Sequence, residues 1–283
     1  MKYDMELLRS LNEEYKHKKL IDSPNALQLD EEYKTEQANR HIDNLVQRGF
    51  SFEGKKILEI GTGGGHVVSQ LAQRYNCSAV GIDIYQDPAW IKNAHKNARY
   101  HCADLAYENP FEKDSFDYIL SFVAWEHMRH PFGVLYEATK LLTMNGSFFI
   151  RANQYRSALA SHLYDVIYFP FPHLLFEDDL IVEYALENGV EQCWIDAFYY
   201  VNKLTYAKYK EYFQLLKLQI KEEWFVNRKF DFEFYHRFEN KLGLYPISDL
   251  TLDFFNVILE KVGHATVERR KRESTQYKLM NGV

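Results

Sequence analysis

Along residues 56–83 the apolar positions change from a continuous run to helical spacing and then back to a continuous run. An unbroken run of β-type residues covers Lys56–Ile60, as expected of a strand buried in a parallel sheet. From His66 the apolar positions recur at helical spacing, and a second buried strand covers Ser78–Asp83. A glycine-rich turn, residues 61–65, separates the first strand from the helix. The pattern therefore predicts a strand-turn-helix-strand unit.

The same alternation continues on both sides of this unit. Residues 1–50 show two or three amphipathic helical stripes, with a break at 22–25. Downstream of Asp83 the pattern predicts strands at 99–103, 118–122 and 147–151, helices at 88–97 and 132–142, and a turn at 145–146. Alternating strands and helices are typical of an α/β fold.

Beyond Arg151 the pattern is less regular and rich in aromatic residues. It predicts helices at 155–168, 177–188 and 205–216, an aromatic loop at 169–176, a β-leaning segment at 193–201, a strand at 218–226, and helix and loop at 227–245. The segment 254–261 fits a strand or a helix equally well. A basic run at 268–272 is interpreted as a solvated terminus.

Composition narrows the classes of function. The net charge of −6 provides no general attraction to nucleic acid. Three cysteines without a C-x-x-C spacing suit a reducing cytoplasm. No apolar run approaches the roughly 20 residues that cross a bilayer, and the N-terminus is too polar for a signal peptide. We therefore expect a cytoplasmic protein without a transmembrane segment.

The spacing of the glycines indicates which cofactor the first turn would bind. An acidic residue about twenty positions after such a turn suits the hydroxyls of a ribose. A dinucleotide fingerprint that starts at Gly61 would need glycine or alanine at position 66, which is histidine. The residues from Glu59 to Gly65 instead read acid-x-Gly-x-Gly-x-Gly. This pattern resembles motif I of the class I S-adenosylmethionine-dependent methyltransferases.

Three further motifs extend the resemblance as far as Arg151. An acid follows the third strand at Asp104, residues 115–117 read Ser-Phe-Asp before the fourth strand, and Glu126-His127 is followed by Pro131, as in the type 11 branch. The resemblance implies a Rossmann-like, seven-stranded, mostly parallel sheet with helices on both faces and a helical N-terminal lid. We expect one methyltransferase domain over 1–283, made of a helical addition (1–50), a cofactor-binding half (51–152) and an acceptor-side half (153–283).

The resemblance also implies roles for individual residues. Glycines 61, 63 and 65 would let the backbone approach S-adenosylmethionine, Asp83 would accept from the ribose hydroxyls, and Glu59 would help to hold the methionine amine. The other predicted cofactor contacts are Thr62, His66, Ile84, Asp104, Leu105, Ser121 and Phe122. His66 could equally cap the helix, and each acid could be an ordinary carboxylate at a strand end.

Histidines are the best candidates for a general base near pH 7. His127 follows the fourth strand and is the first choice; His173, in the aromatic loop, is the second. A structural hydrogen bond is the competing interpretation of both. No metal is expected, because the segment around Glu126 and His127 lacks the H-E-x-x-H pattern of a zinc protease.

The acceptor is less well determined than the cofactor. The aromatic second half, with a loose resemblance to methyltransferases of bacterial surface-glycan synthesis, favours a hydroxyl of a sugar or glycan precursor and a role in polysaccharide biosynthesis. A lipid or quinone-like acceptor is the alternative, since the loop 167–176 is apolar. The two other classes are a catalytically idle cofactor-binding partner protein and an oxidoreductase that uses a dinucleotide, which His66 disfavours.

Overall fold

The computed structural model describes residues 3–18 and 30–261. The predicted chain break at 22–25 and the basic run at 268–272 lie outside the described residues.

Seven strands in the described part of the chain form one sheet. Their bounds are β1 Lys56–Ile60, β2 Ser78–Asp83, β3 Ala98–Cys102, β4 Phe116–Phe122, β5 Leu142–Asn153, β6 Leu218–Asn227 and β7 Leu252–Lys261. The order across the sheet is β3-β2-β1-β4-β5-β7-β6. Strands β1 to β5 pair in parallel, whereas β7 is antiparallel to both β5 and β6. The predicted seven-stranded, mostly parallel sheet is confirmed.

Helices cover both faces of the sheet and form a separate layer. They are α1 Met5–Tyr15, α2 Glu31–Gln47, α3 His66–Arg74, α4 Ala89–Lys92, α5 Pro131–Leu141, α6 Pro172–Leu175, α7 Asp178–Glu187, α8 Gln192–Tyr199, α9 Tyr206–Leu215, α10 Phe232–Arg237, α11 Glu239–Leu242 and α12 Ile247–Thr251. A 3-10 turn, Trp125–His127, follows β4. Among the described helices, none combines the length and the apolar character needed to span a bilayer.

The two N-terminal helices pack in different places. α2 lies with α3 on one face of the sheet, where Ile42 and Leu71 share a buried cluster. α1 instead packs against the layer of residues 158–250, and Asn12 donates to the Val166 carbonyl at 2.7 Å. α1 therefore belongs to that layer, while α2 borders the candidate site described below.

Two predicted segments have a different structure in the chain. The helix expected at 88–97 is limited to Ala89–Lys92, because the Asn93 side chain turns to donate to the Gly64 carbonyl at 2.6 Å. The helix expected at 155–168 is a series of turns, and His162 has a left-handed φ of 57° that a helix does not accommodate.

Other differences concern strands. Residues 193–201 were expected to be β-leaning but form α8, whose Ile195 and Phe198 are buried at helical spacing. β5 starts earlier than expected and includes the predicted turn at 145–146. Residues 254–261 are part of β7. The apolar positions of this segment show no clear period, and it is extended because it pairs with β5 on one side and β6 on the other.

Candidate active site

The glycine-rich turn joins β1 to α3 through backbone conformations that favour glycine. Gly61, Gly63 and Gly65 all have positive φ, of 74°, 49° and 80°. The Gly61 amide donates to the Ile82 carbonyl of β2 at 2.9 Å, so the turn is held against the neighbouring strand.

Only one of these glycines borders open space. A Cβ at Gly61 would overlap the Cβ of Ala124, and a Cβ at Gly65 would lie 2.5 Å from the ring of Tyr100. At Gly63 no described atom lies within 4 Å of the added carbon. The sequence analysis explained all three glycines by close approach of a ligand. In the structure, packing against Ala124 and Tyr100 explains why positions 61 and 65 require glycine. Gly63 alone has the space that a ligand could occupy.

This difference predicts opposite behaviour for two alanine variants. Gly61→Ala should lower the free energy of unfolding by about 1–3 kcal/mol or more, because strain and overpacking add. Gly63→Ala should cost the fold only about 1 kcal/mol but weaken cofactor binding by at least about tenfold. Chemical unfolding and calorimetry with S-adenosylhomocysteine would measure the two effects. Equal loss of stability in both variants would contradict this division.

Asp83 connects the end of β2 to the turn. Its Oδ2 accepts from the Gly63 amide at 2.8 Å, and its Oδ1 accepts from the Tyr85 amide at 3.4 Å. Burial raises the pKa of Asp83, and the bonds from backbone amides oppose that rise. The carboxylate thus fixes the loop conformation and stands at the edge of a cavity.

That cavity, here called the cofactor cavity, measures about 570 Å³. Asp83, Ile84, Asp104 and Leu105 line it together with His127. Ile84 is 52% exposed, so its side chain offers an apolar surface to an aromatic ring. Asp104 Oδ1 accepts from the Ala106 amide at 2.9 Å. These four predicted contacts are brought together at the carboxyl ends of β2 and β3.

A second cavity of about 630 Å³ adjoins the glycine turn and is here called the acceptor cavity, for the role proposed below. Six of the predicted cofactor contacts line it: Glu59, Gly61, Thr62, Gly63, His66 and Phe122. It shares Gly61, Gly63 and Val123 with the cofactor cavity. Its polar and aromatic lining includes Glu59, Phe122, Arg151, His162, Tyr164 and Phe254. Val123 has a φ of 51°, which is unusual for a β-branched residue and marks a strained turn at the junction.

Glu59 is a buried acid on the wall of the acceptor cavity, with only 3% of its surface exposed. Burial raises the pKa of Glu59 to about 8, and the Thr62 hydroxyl, which donates to Oε2 at 2.7 Å, partly opposes the rise. An ammonium group beside it would favour the ionised form. Thr62 thus contacts Glu59 directly, a role that the spacing of the motif did not predict.

We predict that cofactor binding at pH 7 releases a proton from Glu59. Because burial raises the pKa of Glu59 to about 8, the acid is mostly protonated at pH 7. A bound ammonium lowers that pKa, so up to about one proton leaves per S-adenosylhomocysteine bound. Calorimetry in buffers of different ionisation enthalpy measures this release. Glu59→Gln should abolish the release, and an unchanged release in that variant would refute the assignment.

His66 connects the glycine turn to helix α2. Its Nε2 lies 3.2 Å from Glu31 Oε2, and the hydrogen bond with His66 is the main reason that the pKa of Glu31 is lowered. His41, also on α2, stacks on Phe122 with ring centroids 4.6 Å apart. Burial lowers the pKa of His41 to about 4. Sequence reasoning missed His41, which it treated only as part of an amphipathic helix.

His127 and His162 meet where the two cavities adjoin, with ring centroids 4.7 Å apart. His127 lines the cofactor cavity and His162 the acceptor cavity. Burial lowers the pKa of both imidazoles, that of His162 to about 3, so both are neutral at pH 7. His162 had no sequence signal, because it lies in a segment whose pattern indicated an ordinary helix.

His173 and Ser121 lie elsewhere. His173 Nε2 is 2.8 Å from the Tyr155 carbonyl, and burial lowers the pKa of His173 to about 4. The Ser121 hydroxyl donates to the Ile60 carbonyl at 2.9 Å and ties β4 to β1. In the described part of the chain, neither residue lines either cavity. Both therefore have structural positions here, while Phe122 beside Ser121 does reach the acceptor cavity.

Comparison with known proteins agrees with this geometry. Residues 58–150, about a third of the chain, match the family model described as "Methyltransferase domain". The matched segment runs from β1 into β5 and includes the glycine turn, Asp83 and Asp104. The match is to the class of domain that the sequence predicts for this segment.

The similar proteins include two ubiquinone biosynthesis O-methyltransferases. One, from Actinobacillus pleuropneumoniae serotype 5b, is 26% identical over 38% of this chain and 50% of its own length. The other, from Cereibacter sphaeroides, is 29% identical over 45% of this chain and 52% of its own length. The chain thus spans about half the length of the curated relatives it matches.

A solved structure supports the fold. The phosphoethanolamine N-methyltransferase 2 of Haemonchus contortus, in complex with S-adenosyl-L-methionine, aligns with a TM-score of 0.51 and 16% identity. The alignment covers 80% of this chain and 53% of that one. The shared architecture is the Rossmann-like sheet described above.

Proposed function

We propose that this protein transfers the methyl group of S-adenosylmethionine to a hydroxyl oxygen of a small-molecule acceptor. The acceptor oxygen attacks the methyl carbon in line with the sulfur. The S–CH₃ bond breaks as the O–CH₃ bond forms, the hydroxyl proton leaves, and S-adenosylhomocysteine remains. The relatives named O-methyltransferases support the choice of oxygen.

One observation carries this proposal: the cofactor and acceptor cavities adjoin at Gly61, Gly63 and Val123. A cofactor held by Asp83 and Asp104 on one side, with its amine near Glu59, would cross this junction. Its methyl group would then be close to the acceptor cavity and to the two imidazoles. Positioning of donor and acceptor can by itself supply about 7–11 kcal/mol of the barrier.

The remaining requirement is to remove the proton of the hydroxyl. A positioned base contributes about 10²–10⁴-fold to the rate. His127 is our proposed base, because its imidazole is neutral and lies at the junction. His173 is the weaker candidate, because its Nε2 lies at hydrogen-bonding distance from the Tyr155 carbonyl.

Two classes of acceptor fit the acceptor cavity. A sugar or glycan hydroxyl, the expectation from sequence, is supported by the mixed polar and aromatic lining, since sugar faces stack on rings while hydroxyls meet polar groups. A phenolic or quinone-like acceptor is supported by the similarity to ubiquinone biosynthesis O-methyltransferases and by the rings of Phe122, Tyr164 and Phe254. We propose the phenolic acceptor as the better supported of the two.

Transfer of a labelled methyl group would identify the class of acceptor. The protein is incubated with S-adenosylmethionine that carries a radioactive methyl group and with fractionated cell extract. Label in an organic-solvent fraction supports the phenolic acceptor, and label in water-soluble glycan or sugar nucleotide supports the sugar. Transfer to no fraction, despite intact cofactor binding, would favour the idle cofactor-binding protein over an enzyme.

Separate binding measurements with S-adenosylhomocysteine and NAD(H) test the remaining alternative, a dinucleotide-dependent oxidoreductase. A protein with this glycine turn should bind S-adenosylhomocysteine and not NAD(H), since His66 occupies the position where a dinucleotide site needs a small residue. Tight binding of NAD(H) without a response to S-adenosylhomocysteine would refute the proposed function.

A further inference from the structure

Three neighbouring side chains at the junction of the cavities have buried polar atoms without a hydrogen-bond partner among the described residues. The atoms are Glu126 Oε2, His127 Nδ1 and His162 Nε2. One carboxylate oxygen of Glu126 and one nitrogen of each imidazole all lie within 4.8 Å of one another. Native proteins leave few buried polar atoms unpaired, so three in one cluster require a common explanation.

Unpaired polar atoms and a buried carboxylate both favour a cation, rather than an apolar void, in the space between these three side chains. Glu126 is buried, with 2% of its surface exposed, and a buried carboxylate is costly without a close positive partner. Among the described residues Glu126 forms no ion pair, and Arg151 Nη1 donates to Asn256 at 3.0 Å. An imidazole nitrogen that carries no proton offers a lone pair to a metal ion.

Backbone groups outside the cluster contact Glu126 and His127 and orient their side chains. Glu126 Oε1 accepts from the Asn153 amide at 3.1 Å, which leaves Oε2 directed elsewhere. The backbone of Ala197 interacts with the His127 ring, the type of outer contact that usually orients a metal-bound histidine. His162 has the left-handed φ of 57°, and such strain is concentrated at functional positions.

We propose that Glu126, His127 and His162 form a binding site for a divalent transition-metal ion. Two imidazoles and one carboxylate suit zinc, iron(II), cobalt(II) or manganese(II) rather than calcium or magnesium. Metal–ligand distances of about 2.0–2.2 Å mean that the three ligand atoms would draw closer when an ion binds. Three protein ligands leave coordination positions free at the junction of the cavities.

The catalytic consequence rests on the proposed function. An acceptor hydroxyl that coordinates the ion loses its proton more readily, because the positive charge stabilises the oxyanion. His127 would then act as a ligand instead of a free base, and the proton would leave to water. The sequence expectation of no metal was based on the absence of H-E-x-x-H, whereas the fold brings this ligand set together from two distant segments.

Cobalt(II) titration of the chelator-treated full chain tests the site directly. We expect visible absorption from bound cobalt, and zinc binding by calorimetry that displaces it. Glu126→Gln and His162→Asn should each weaken metal binding by more than about a hundredfold, since even loss of an outer contact costs about 10–100-fold. Asparagine is chosen because it tolerates the left-handed backbone at position 162. His130→Ala, which removes an exposed histidine near the cluster, should bind cobalt as the parent does.

Binding of S-adenosylhomocysteine, measured on the same samples, separates this inference from the proposed function. Cofactor binding without cobalt binding would overturn the metal site and leave the methyltransferase proposal standing. Cobalt binding that survives unchanged in both Glu126→Gln and His162→Asn would also overturn it, since the ion would then lie elsewhere. Metal binding that depends on these residues, without any cofactor binding, would support the site and refute the proposed function.

Discussion

Replacing Asp83 by asparagine is expected to weaken binding of S-adenosylhomocysteine by about 10–150-fold, the equivalent of about 1.5–3 kcal/mol for hydrogen bonds to a charged group. The substitution removes the negative charge that would accept from both ribose hydroxyls. It also replaces one of the two carboxylate oxygens, of which Oδ2 accepts from the Gly63 amide at 2.8 Å, by an NH₂ group that cannot accept a hydrogen bond. The one oxygen that remains cannot serve the glycine turn and the ribose as the two oxygens of Asp83 do. Calorimetry gives the dissociation constants of parent and variant.

Asp117 provides a matched control for this experiment. Asp117 lies near the start of β4, and its carboxylate also accepts from a backbone amide, that of Lys56 at 2.9 Å, but it lines neither cavity. Asp117→Asn should change stability without changing cofactor affinity. If Asp83→Asn bound S-adenosylhomocysteine within about threefold of the parent, a difference below about 1 kcal/mol, Asp83 would not be the ribose contact.

The second large effect concerns His127. His127→Ala should lower kcat by about 10²–10⁴-fold, whether the imidazole accepts the proton itself or holds a metal ion that promotes its loss. Affinity for S-adenosylhomocysteine should stay nearly unchanged, because the predicted contacts to the ribose and amine come from other residues. Steady-state kinetics with the acceptor identified by methyl labelling would measure the change.

His173→Ala is the structural counterpart of that variant. Its imidazole is buried beside Tyr155, with Nε2 2.8 Å from the Tyr155 carbonyl, so its loss should lower the melting temperature and leave kcat within about tenfold of the parent. A large drop in kcat for His173→Ala, with unchanged kcat for His127→Ala, would reverse the assignment. If both variants retained kcat within about tenfold, positioning alone would account for the reaction.

The cofactor half could be predicted from sequence because its signals are local. The glycine turn, the apolar runs of β1 and β2 and the acid at Asp83 all depend on residues close in the chain. Parallel packing then brings the carboxyl ends of these strands together by rule. The bounds of β1 and β2 consequently agree with the predicted ones.

The acceptor half could not be predicted in the same way, because long-range contacts decide its structure. The turns of 155–168 replace a helix since Asn12 on α1 bonds to Val166 and Tyr168, which the sequence does not connect. His162 enters the site only through this rearrangement. Gly61 shows a similar limit, because its restriction comes from Ala124, a residue after β4.

The site is built partly from regular strands and partly from irregular turns, and this difference has an evolutionary consequence. The cofactor cavity is lined by the ends of parallel strands, where a substitution disturbs the sheet, whereas the acceptor cavity adds Tyr164 and His162 from irregular turns to strand residues such as Glu59 and Phe122. Irregular turns share no ladder of hydrogen bonds with a neighbouring strand, so they tolerate change better than strands within a sheet. After gene duplication, one copy can therefore acquire a new acceptor through mutations in these turns while its contacts to the proposed methyl donor stay unchanged.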